Sequence, residues 1–166
     1  MIHNTHVSQY IPPNQFHFVT GTFTQAAGSV AGTIAMNRAA ANETSVITIP
    51  IEVPSNSIPL QGAKLTSIEV DYECFTAEPT SITWTLNKVT RGTDTNVAVV
   101  AAVTKTDGVA AAAAKTVDQH KQIITLTTPA WVSNNEYYLL EMSMAAGAGG
   151  NTTKFLGAVA NYTLRM

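Results

Sequence analysis

The residues best suited to chemistry form a short row of carboxylates, Glu69, Asp71 and Glu73, at alternate positions of one segment. In a β-strand, alternate residues share a face and lie about 6.5 to 7 Å apart. Such a row could hold a calcium ion or supply an acid and a base. No second set of ligands or acids converges on it in the sequence. A solvated strand face, or a face that meets another subunit, is therefore the favoured interpretation.

The other reactive residues are scattered along the chain. His3 and His6 have no cysteine or carboxylate at a metal-ligand spacing. Cys74 is the single cysteine and falls in the apolar phase of its segment, which predicts a buried and inert thiol. Neither a Gly-x-Ser-x-Gly elbow nor a glycine-rich loop opening a helix occurs. The sequence therefore predicts no enzyme, no metal site and no cofactor.

Two tryptophans could stack against a ligand. Trp84 alternates with apolar residues, which predicts a place in the core. Trp131 lies in the connection 129–135 and is the one tryptophan expected near the surface. A carbohydrate site, if present, is expected around Trp131 and the glycine-rich residues 147–151.

Composition narrows the classes of partner. Charged residues make up 12% of the chain and the net charge is -2, so there is no basic surface for a phosphate backbone and nucleic acid is not expected as a partner. A weakly charged surface does little to oppose self-association. The N-terminus lacks the pattern of a secretory signal, and the apolar runs are too short to span a membrane. These features predict a product that stays in the cytoplasm where it is made.

The chain divides into an arm and one domain. Residues 1–14 show no sustained period, and Pro12 and Pro13 favour an extended arm outside the core. Residues 15–166 carry about eight segments with strand periodicity, separated by turn residues. These segments are 15–24, 45–53, 63–75, 81–89, 96–104, 122–128, 136–145 and 153–166. They predict an all-β domain, an antiparallel two-sheet sandwich of the jelly-roll kind.

Several local expectations accompany this architecture. Segments 63–75 and 81–89 are predicted to form a hairpin. Pro50 places its strand at an edge or a bulge. The alanine-rich residues 109–115 favour strand or coil over a short helix, and residues 26–42 fit either a loop or a short strand.

Four parts of the chain resemble the jelly-roll domains of phage and viral structural proteins. They are residues 62–73 (GAKLTSIEVDYE), 82–89 (ITWTLNKV), 135–140 (NEYYLL) and 156–164 (LGAVANYTL). The resemblance implies a virion component, either a capsid subunit or a capsid-decoration protein, made in the host cytoplasm. Its partners would be copies of itself and other virion proteins. Similar domains also occur in bacterial surface proteins.

An extended arm could lock such subunits together by adding a strand to a neighbour's open sheet edge. Tyr10, Ile11, Phe16 and Phe18 are the expected anchors at that subunit interface. Other interpretations stay open: a frayed terminus, a carbohydrate- or receptor-binding module of a tail fibre or surface protein, or a subunit of an extracellular filament. The last of these needs an export route that this N-terminus does not display.

Overall fold

In a computed structural model, the protein is described over residues 4–28, 32–54, 62–93, 96–147 and 151–165. These residues are almost entirely strand, with two short 3-10 turns at Pro13–Gln15 and Ala113–Lys115. The described strands are β1 (Asn4–Ile11), β2 (His17–Thr20), β3 (Phe23–Ala27), β4 (Ile34–Ala41), β5 (Ser45–Ile51), β6 (Ala63–Cys74), β7 (Ser81–Thr90), β8 (Val99–Ala102), β9 (Lys105–Asp107), β10 (Asp118–Leu126), β11 (Glu136–Ala145) and β12 (Asn151–Arg165).

The strands form two antiparallel sheets. Sheet A has the order β3-β4-β12-β6-β10-β9, with β1 also paired to β12, and sheet B has the order β2-β5-β11-β7-β8. Every described pairing is antiparallel. The prediction of an all-β, antiparallel two-sheet sandwich is confirmed. No helix in the described part of the chain is long and apolar enough to cross a membrane.

The core lies between the two sheets and follows the alternation of the strands. In β5, Ile47, Ile49 and Ile51 are buried while the residues between them are half-buried. The facing strands contribute Tyr72 and Phe155, whose rings stack with their centroids 6.5 Å apart. Each large apolar side chain buried in this way contributes roughly 1.5–3 kcal/mol. The periodicity seen in the sequence therefore reflects burial of one face of each strand.

One strand departs from simple alternation. In β6, Leu65 is fully buried although it shares a sequence phase with Glu69, and Ile68 in the opposite phase is buried as well. The pairing with β12 shifts here, because Asn161 lies opposite Ser67 while Tyr162 lies opposite Leu65. The residue left over, Thr66, forms a β-bulge that reverses the phase. Leu65 and Ile68 are therefore buried on the same face of β6 although they lie in opposite sequence phases.

The prediction of a hairpin between segments 63–75 and 81–89 was wrong. Strand β6 belongs to sheet A and β7 to sheet B, so the connection crosses from one sheet to the other. Backbone bonds hold its two ends apart: the Phe75 N–H donates to the Thr152 carbonyl at 3.2 Å, and the Thr80 N–H donates to the Ala145 carbonyl at 3.0 Å. Adjacent strands with a short turn need not pair when each has a better partner elsewhere.

The prediction that residues 1–14 form an arm outside the core was wrong as well. Asn4–Ile11 is strand β1, which pairs with residues 158–165 of β12 in the same chain. Ile11 is buried in the core. A closing strand with an unpaired edge is available within the molecule, so the N-terminal segment adds to its own sheet. Residues 1–3 lie outside the described part.

Other expectations were met in part. Segment 15–24 splits into β2 and β3, in different sheets, at Gly21, whose φ of +99° suits glycine. Pro50 has a register partner on β11 but none on β2, so at this residue β5 has one unpaired edge, as predicted. Within 109–115, three residues form a 3-10 turn rather than strand or coil. Within 26–42, the strand alternative is right and runs over Ile34–Ala41.

Candidate functional site

The candidate site lies where two strands share one edge of β12. On that edge, β4 pairs with residues 151–155 and β1 pairs with residues 158–165, while β6 runs along the other edge. Between the two, Leu156 and Gly157 have no register partner on this side. The pairing with β6 also shifts between Phe155 and Gly157. A bulge of this kind bends the strand and redirects side chains, and it leaves a gap at the junction of β1 and β4.

Tyr10 covers part of this gap. Its hydroxyl donates a hydrogen bond to the Leu156 carbonyl at 2.9 Å. A Cβ atom built on Gly157 would lie only 2.6 Å from the Tyr10 ring, and the φ of Gly157 is +139°. Glycine is required here for both reasons, since a side chain would strain the backbone and displace the ring. The ring is thus held in place while remaining 57% exposed.

Beside Tyr10 opens a groove of about 470 Å³, which we call the Tyr10 groove. Its lining comes from the end of β1, the following 3-10 turn, β3, the start of β4 and the β12 bulge. The lining residues are Tyr10, Pro12, Pro13, Asn14, Gln25, Gly32, Thr33, Ile34 and Leu156. Its volume lies within the range of small-molecule sites, about 300–1,000 Å³.

The Tyr10 groove is mainly apolar with a few neutral polar groups. Tyr10 and Ile34, 57% and 55% exposed, offer apolar surface to solvent. Asn14 and Gln25 each carry an amide that both donates and accepts hydrogen bonds, and within the described residues neither amide is hydrogen-bonded to the protein. None of the lining side chains bears a carboxylate, an ammonium or a guanidinium group. Such a surface suits an uncharged ligand with both apolar and hydroxyl-bearing faces.

A second depression adjoins the first across Leu156, which lines both. It is lined by Asp71, Tyr72, Gln119, His120, Lys121 and Leu156. Glu69 lies nearby and has two partners. It accepts a hydrogen bond from the Asn161 amide at 3.0 Å and forms an ion pair with Lys121 at 3.2 Å. The hydrogen bond from Lys121 to Glu69 is the main cause of a raised Lys121 pKa.

Asp71, the middle carboxylate of the predicted row, is only partly solvated. Burial raises the pKa of Asp71, and the Glu69 carboxylate adds to that rise while Lys121 opposes it. The row is therefore a half-buried, hydrogen-bonded part of the outer face of sheet A. Among the described residues there is no group of three or more histidine, cysteine, aspartate or glutamate side chains that could hold a metal ion.

The structure places Trp131 near the surface, as predicted, with 40% of the residue exposed. Cations lie over its ring: the Lys64 Nζ is 5.3 Å from the ring centroid and the Arg165 Cζ is 5.9 Å away. Trp131 is not part of the Tyr10 groove. Arg165 lies six positions along β12 from Val159, the partner of Tyr10, which corresponds to roughly 20 Å along the strand.

The four predicted interface anchors separate in the structure. Ile11 and Phe16 are buried in the chain's own core. Phe18 is half-buried and packs on Phe23, with ring centroids 4.2 Å apart. Only Tyr10 presents a largely exposed side chain. A role of these residues between subunits stays a prediction, but in the single chain three of them are engaged inside the sandwich.

The remaining candidates have structural roles. Cys74 is fully buried, as predicted, and burial raises the pKa of its thiol to about 11. Trp84 is 7% exposed and packs against Tyr72, which confirms its place in the core. His6 contacts the Thr163 hydroxyl at 3.4 Å. His3, and residues 148–150 of the predicted glycine-rich loop, lie outside the described residues.

Most of the Tyr10 groove was missed by sequence reasoning. Asn14, Gln25 and Ile34 come from three separate segments, and no local pattern links them. Two signals did exist. Pro12 and Pro13 mark a rigid corner after β1, and Gly157 interrupts an otherwise continuous strand, which often indicates a bulge or a close approach of another group.

Comparisons with known proteins show a likeness of fold alone. No family model matches the chain, and no curated protein matches it. Among solved structures, a mutant of CBM29-2, a family 29 carbohydrate-binding module, is 9% identical, with a TM-score of 0.38 over 96% of this chain and 92% of that one. TmCBM61, solved in complex with β-1,4-galactotriose, is 10% identical, with a TM-score of 0.40 over 97% and 88% of the two chains.

A third likeness is to a family two carbohydrate esterase from Cellvibrio japonicus, which is 7% identical. Its TM-score is 0.36, over 98% of this chain and 34% of the esterase chain. Likenesses at these identities and TM-scores carry no argument about ligand or activity. What this chain binds has to be argued from its own residues.

Proposed function

We propose that this protein is a non-catalytic binding module that holds an uncharged saccharide in the Tyr10 groove. The observation that carries the proposal is the combination of a fixed, exposed tyrosine ring with two amides of the same groove, on Asn14 and Gln25, that make no hydrogen bond to the described part of the protein. A pyranose ring has an apolar face of C–H groups and a periphery of hydroxyls. The first packs on an aromatic ring, and the second bonds to amides.

The absence of charge in the groove lining favours a neutral saccharide over an anionic one. A sulfated or carboxylated sugar would lose solvation on entering the groove without gaining a cationic partner among Tyr10, Pro12, Pro13, Asn14 and Ile34. A purely apolar ligand would leave the two amides desolvated and unpaired, at a cost of about 1–3 kcal/mol for each. A saccharide satisfies both requirements.

The adjoining depression extends the proposed site beyond a single sugar. Asp71, Gln119, His120 and Lys121 line it, and Leu156 forms the boundary with the Tyr10 groove. A chain of a few sugar units lying across Leu156 would reach hydrogen-bonding groups on both sides. We therefore expect oligosaccharides to bind more tightly than the corresponding monosaccharide.

A screen of immobilised glycans with the full chain tests this proposal, followed by isothermal titration calorimetry on the glycans that bind. We expect neutral oligosaccharides among the binders, with affinity rising with length until the two depressions are filled. Binding restricted to sulfated or sialylated glycans would contradict the proposal, because the described lining of the Tyr10 groove offers no cation. Failure of folded protein to bind any neutral glycan at millimolar concentration would also contradict it.

A second candidate function is a structural subunit of a virion, a capsid or capsid-decoration protein, as the resemblance in the sequence implies. One observation favours it: the four side chains of the outer strand β8, two valines and two alanines, are all exposed. A subunit needs such an apolar surface to assemble. Negative-stain microscopy of the concentrated chain distinguishes the two. Regular shells or rings would support a virion subunit, whereas a field of single particles the size of monomers or dimers would contradict self-assembly into a shell.

A further inference from the structure

Strand β8 is an outer strand of sheet B, and among the described residues it pairs only with residues 87–90 of β7. Val99 and Val100 are 60% and 62% exposed, and Val97 just before the strand is 86% exposed. Valine side chains on both faces of a strand therefore meet solvent. An exposed apolar strand at a sheet edge is a template for another strand, because its outward N–H and C=O groups lack partners.

Two of the other outer strands, β9 and β2, show features that normally prevent such pairing. Strand β9 is three residues long, and its Lys105 and Asp107 form an ion pair at 2.6 Å. Strand β2, which is as short as β8, carries a register shift between Phe18 and Thr20. Residues 96–104, by contrast, contain no charge and no proline, and the β7–β8 pairing has no register shift. Strand β8 is thus less protected than β9 and β2.

The hydrogen bonding identifies which backbone groups of β8 are open. The Val103 N–H donates to the Leu86 carbonyl on β7 at 2.8 Å. Backbone groups of successive residues in an antiparallel strand point to alternate sides. Those of Val99, Ala101 and Val103 therefore face β7, and those of Val100 and Ala102 point away from it.

We propose that a second copy of this chain docks on this edge, by antiparallel pairing of β8 with β8. The two-fold axis passes beside Ala101, so that Val100 of each copy lies opposite Ala102 of the other. This register joins only residues whose backbone groups point outward, and it makes four new main-chain hydrogen bonds. It also continues sheet B from one copy into the next.

The chemistry of the strand favours a second copy as the occupant. A partner strand must present small or apolar side chains on both faces, and β8 itself does so. In the proposed register, Ala101 meets Ala101 and Val99 meets Val103, so the side chains are matched without crowding. The nearest charge in the sequence, Lys105, lies on β9 of sheet A, so no like charges are opposed along β8. Because the same strand is used by both copies, the contact closes as a dimer rather than continuing as a fibre.

The contact is small, so we expect the dimer to be weak. A four-residue strand pair buries less than the roughly 1,200 Å² at the lower end of stable interfaces. We therefore expect a dissociation constant on the order of 100 µM. The dimer would carry two Tyr10 grooves. The proposal concerns a different edge and a different sheet, so it does not depend on the function proposed for the groove.

Sedimentation equilibrium over about 5 to 500 µM, a range that brackets this constant, tests the pairing. We expect the average mass of the natural chain to rise from 17.6 kDa towards twice that value. Val100→Pro removes an outward N–H but no bond to β7, and Val100→Lys places a charge on the edge. Both variants should remain monomeric, and circular dichroism should show an unchanged fold.

Val19→Lys is the matched control, because Val19 on outer strand β2 is also 62% exposed. This variant should dimerise like the natural chain. The proposal fails if the natural chain stays at 17.6 kDa throughout, if Val100→Lys dimerises as well as the natural chain, or if Val19→Lys abolishes the dimer. A mass that keeps rising beyond the dimer would also overturn it, since a two-fold contact closes.

Discussion

Tyr10 and Trp131 are two exposed aromatic residues near opposite ends of the pairing between β1 and β12, and their surroundings differ. Tyr10 is held by one hydrogen bond over Gly157 and borders a neutral groove. Trp131 lies under the side chains of Lys64 and Arg165. Trp131, which the sequence suggests as a ligand platform, is the residue whose ring already has cationic partners. An aromatic side chain becomes a ligand platform when the fold fixes its ring and leaves a face open, and exposure alone is not sufficient.

The largest expected effect comes from removing the glycine beneath the tyrosine. Gly157→Ala places a Cβ within 2.6 Å of the Tyr10 ring at a φ of +139°, so we expect a loss of about 3 kcal/mol in the free energy of unfolding together with displacement of the ring. Urea denaturation measures the loss. Gly32→Ala is the control, since Gly32 has a φ of +84° but open space around it, and it should lose only about 1 kcal/mol. Equal losses in the two variants would show that the ring does not rest on Gly157.

A smaller effect should follow from uncovering Trp131. Replacing Lys64 or Arg165 by methionine removes a cation over the ring, so we expect a loss of about 0.5–1 kcal/mol in the free energy of unfolding for each. Acrylamide quenching of tryptophan fluorescence should also rise, because Trp84 is buried and the accessible signal comes from Trp131.

Lys121→Met, which removes a cation that pairs with Glu69, is the control and should leave the quenching unchanged. If quenching is the same in Lys64→Met and Arg165→Met as in the natural chain, the cations do not cover the ring. Trp131 would then be as open as Tyr10, and the contrast between the two ends of β1 would be lost.

The smallest expected effect is that of salt on saccharide binding. The Tyr10 groove has no charged lining residue, so raising sodium chloride from about 0.05 to 0.5 M should change the affinity for a neutral saccharide less than twofold. Calorimetry at the two salt concentrations measures this. A tenfold weakening would indicate that charged residues carry the binding, either Asp71 and Lys121 of the adjoining depression or Lys64 and Arg165 beside Trp131.

How far the sequence predicts this molecule depends on the kind of contact. Strands such as β5 and β11 were predictable because burial of one face imposes a two-residue period that is visible locally. The pairing of β6 with β12 instead of β7 was not, because a choice between sheets depends on strands far apart in the chain. The same holds for the Tyr10 groove, in which Tyr10 and Leu156 are 146 residues apart. The bulge that brings Leu65 and Ile68 to the same face of β6 was not predictable either, because it reverses the phase without any local composition signal.

The most direct test of the central claim compares Tyr10→Ala with Trp131→Ala in calorimetric titrations of a neutral oligosaccharide that binds the natural chain. Loss of an aromatic stacking surface should weaken binding by about 1–3 kcal/mol, or roughly 5- to 150-fold, in Tyr10→Ala. Trp131→Ala, at a site roughly 20 Å away, should bind as the natural chain does. If Trp131→Ala abolishes binding while Tyr10→Ala leaves it unchanged, the Tyr10 groove is not the saccharide site.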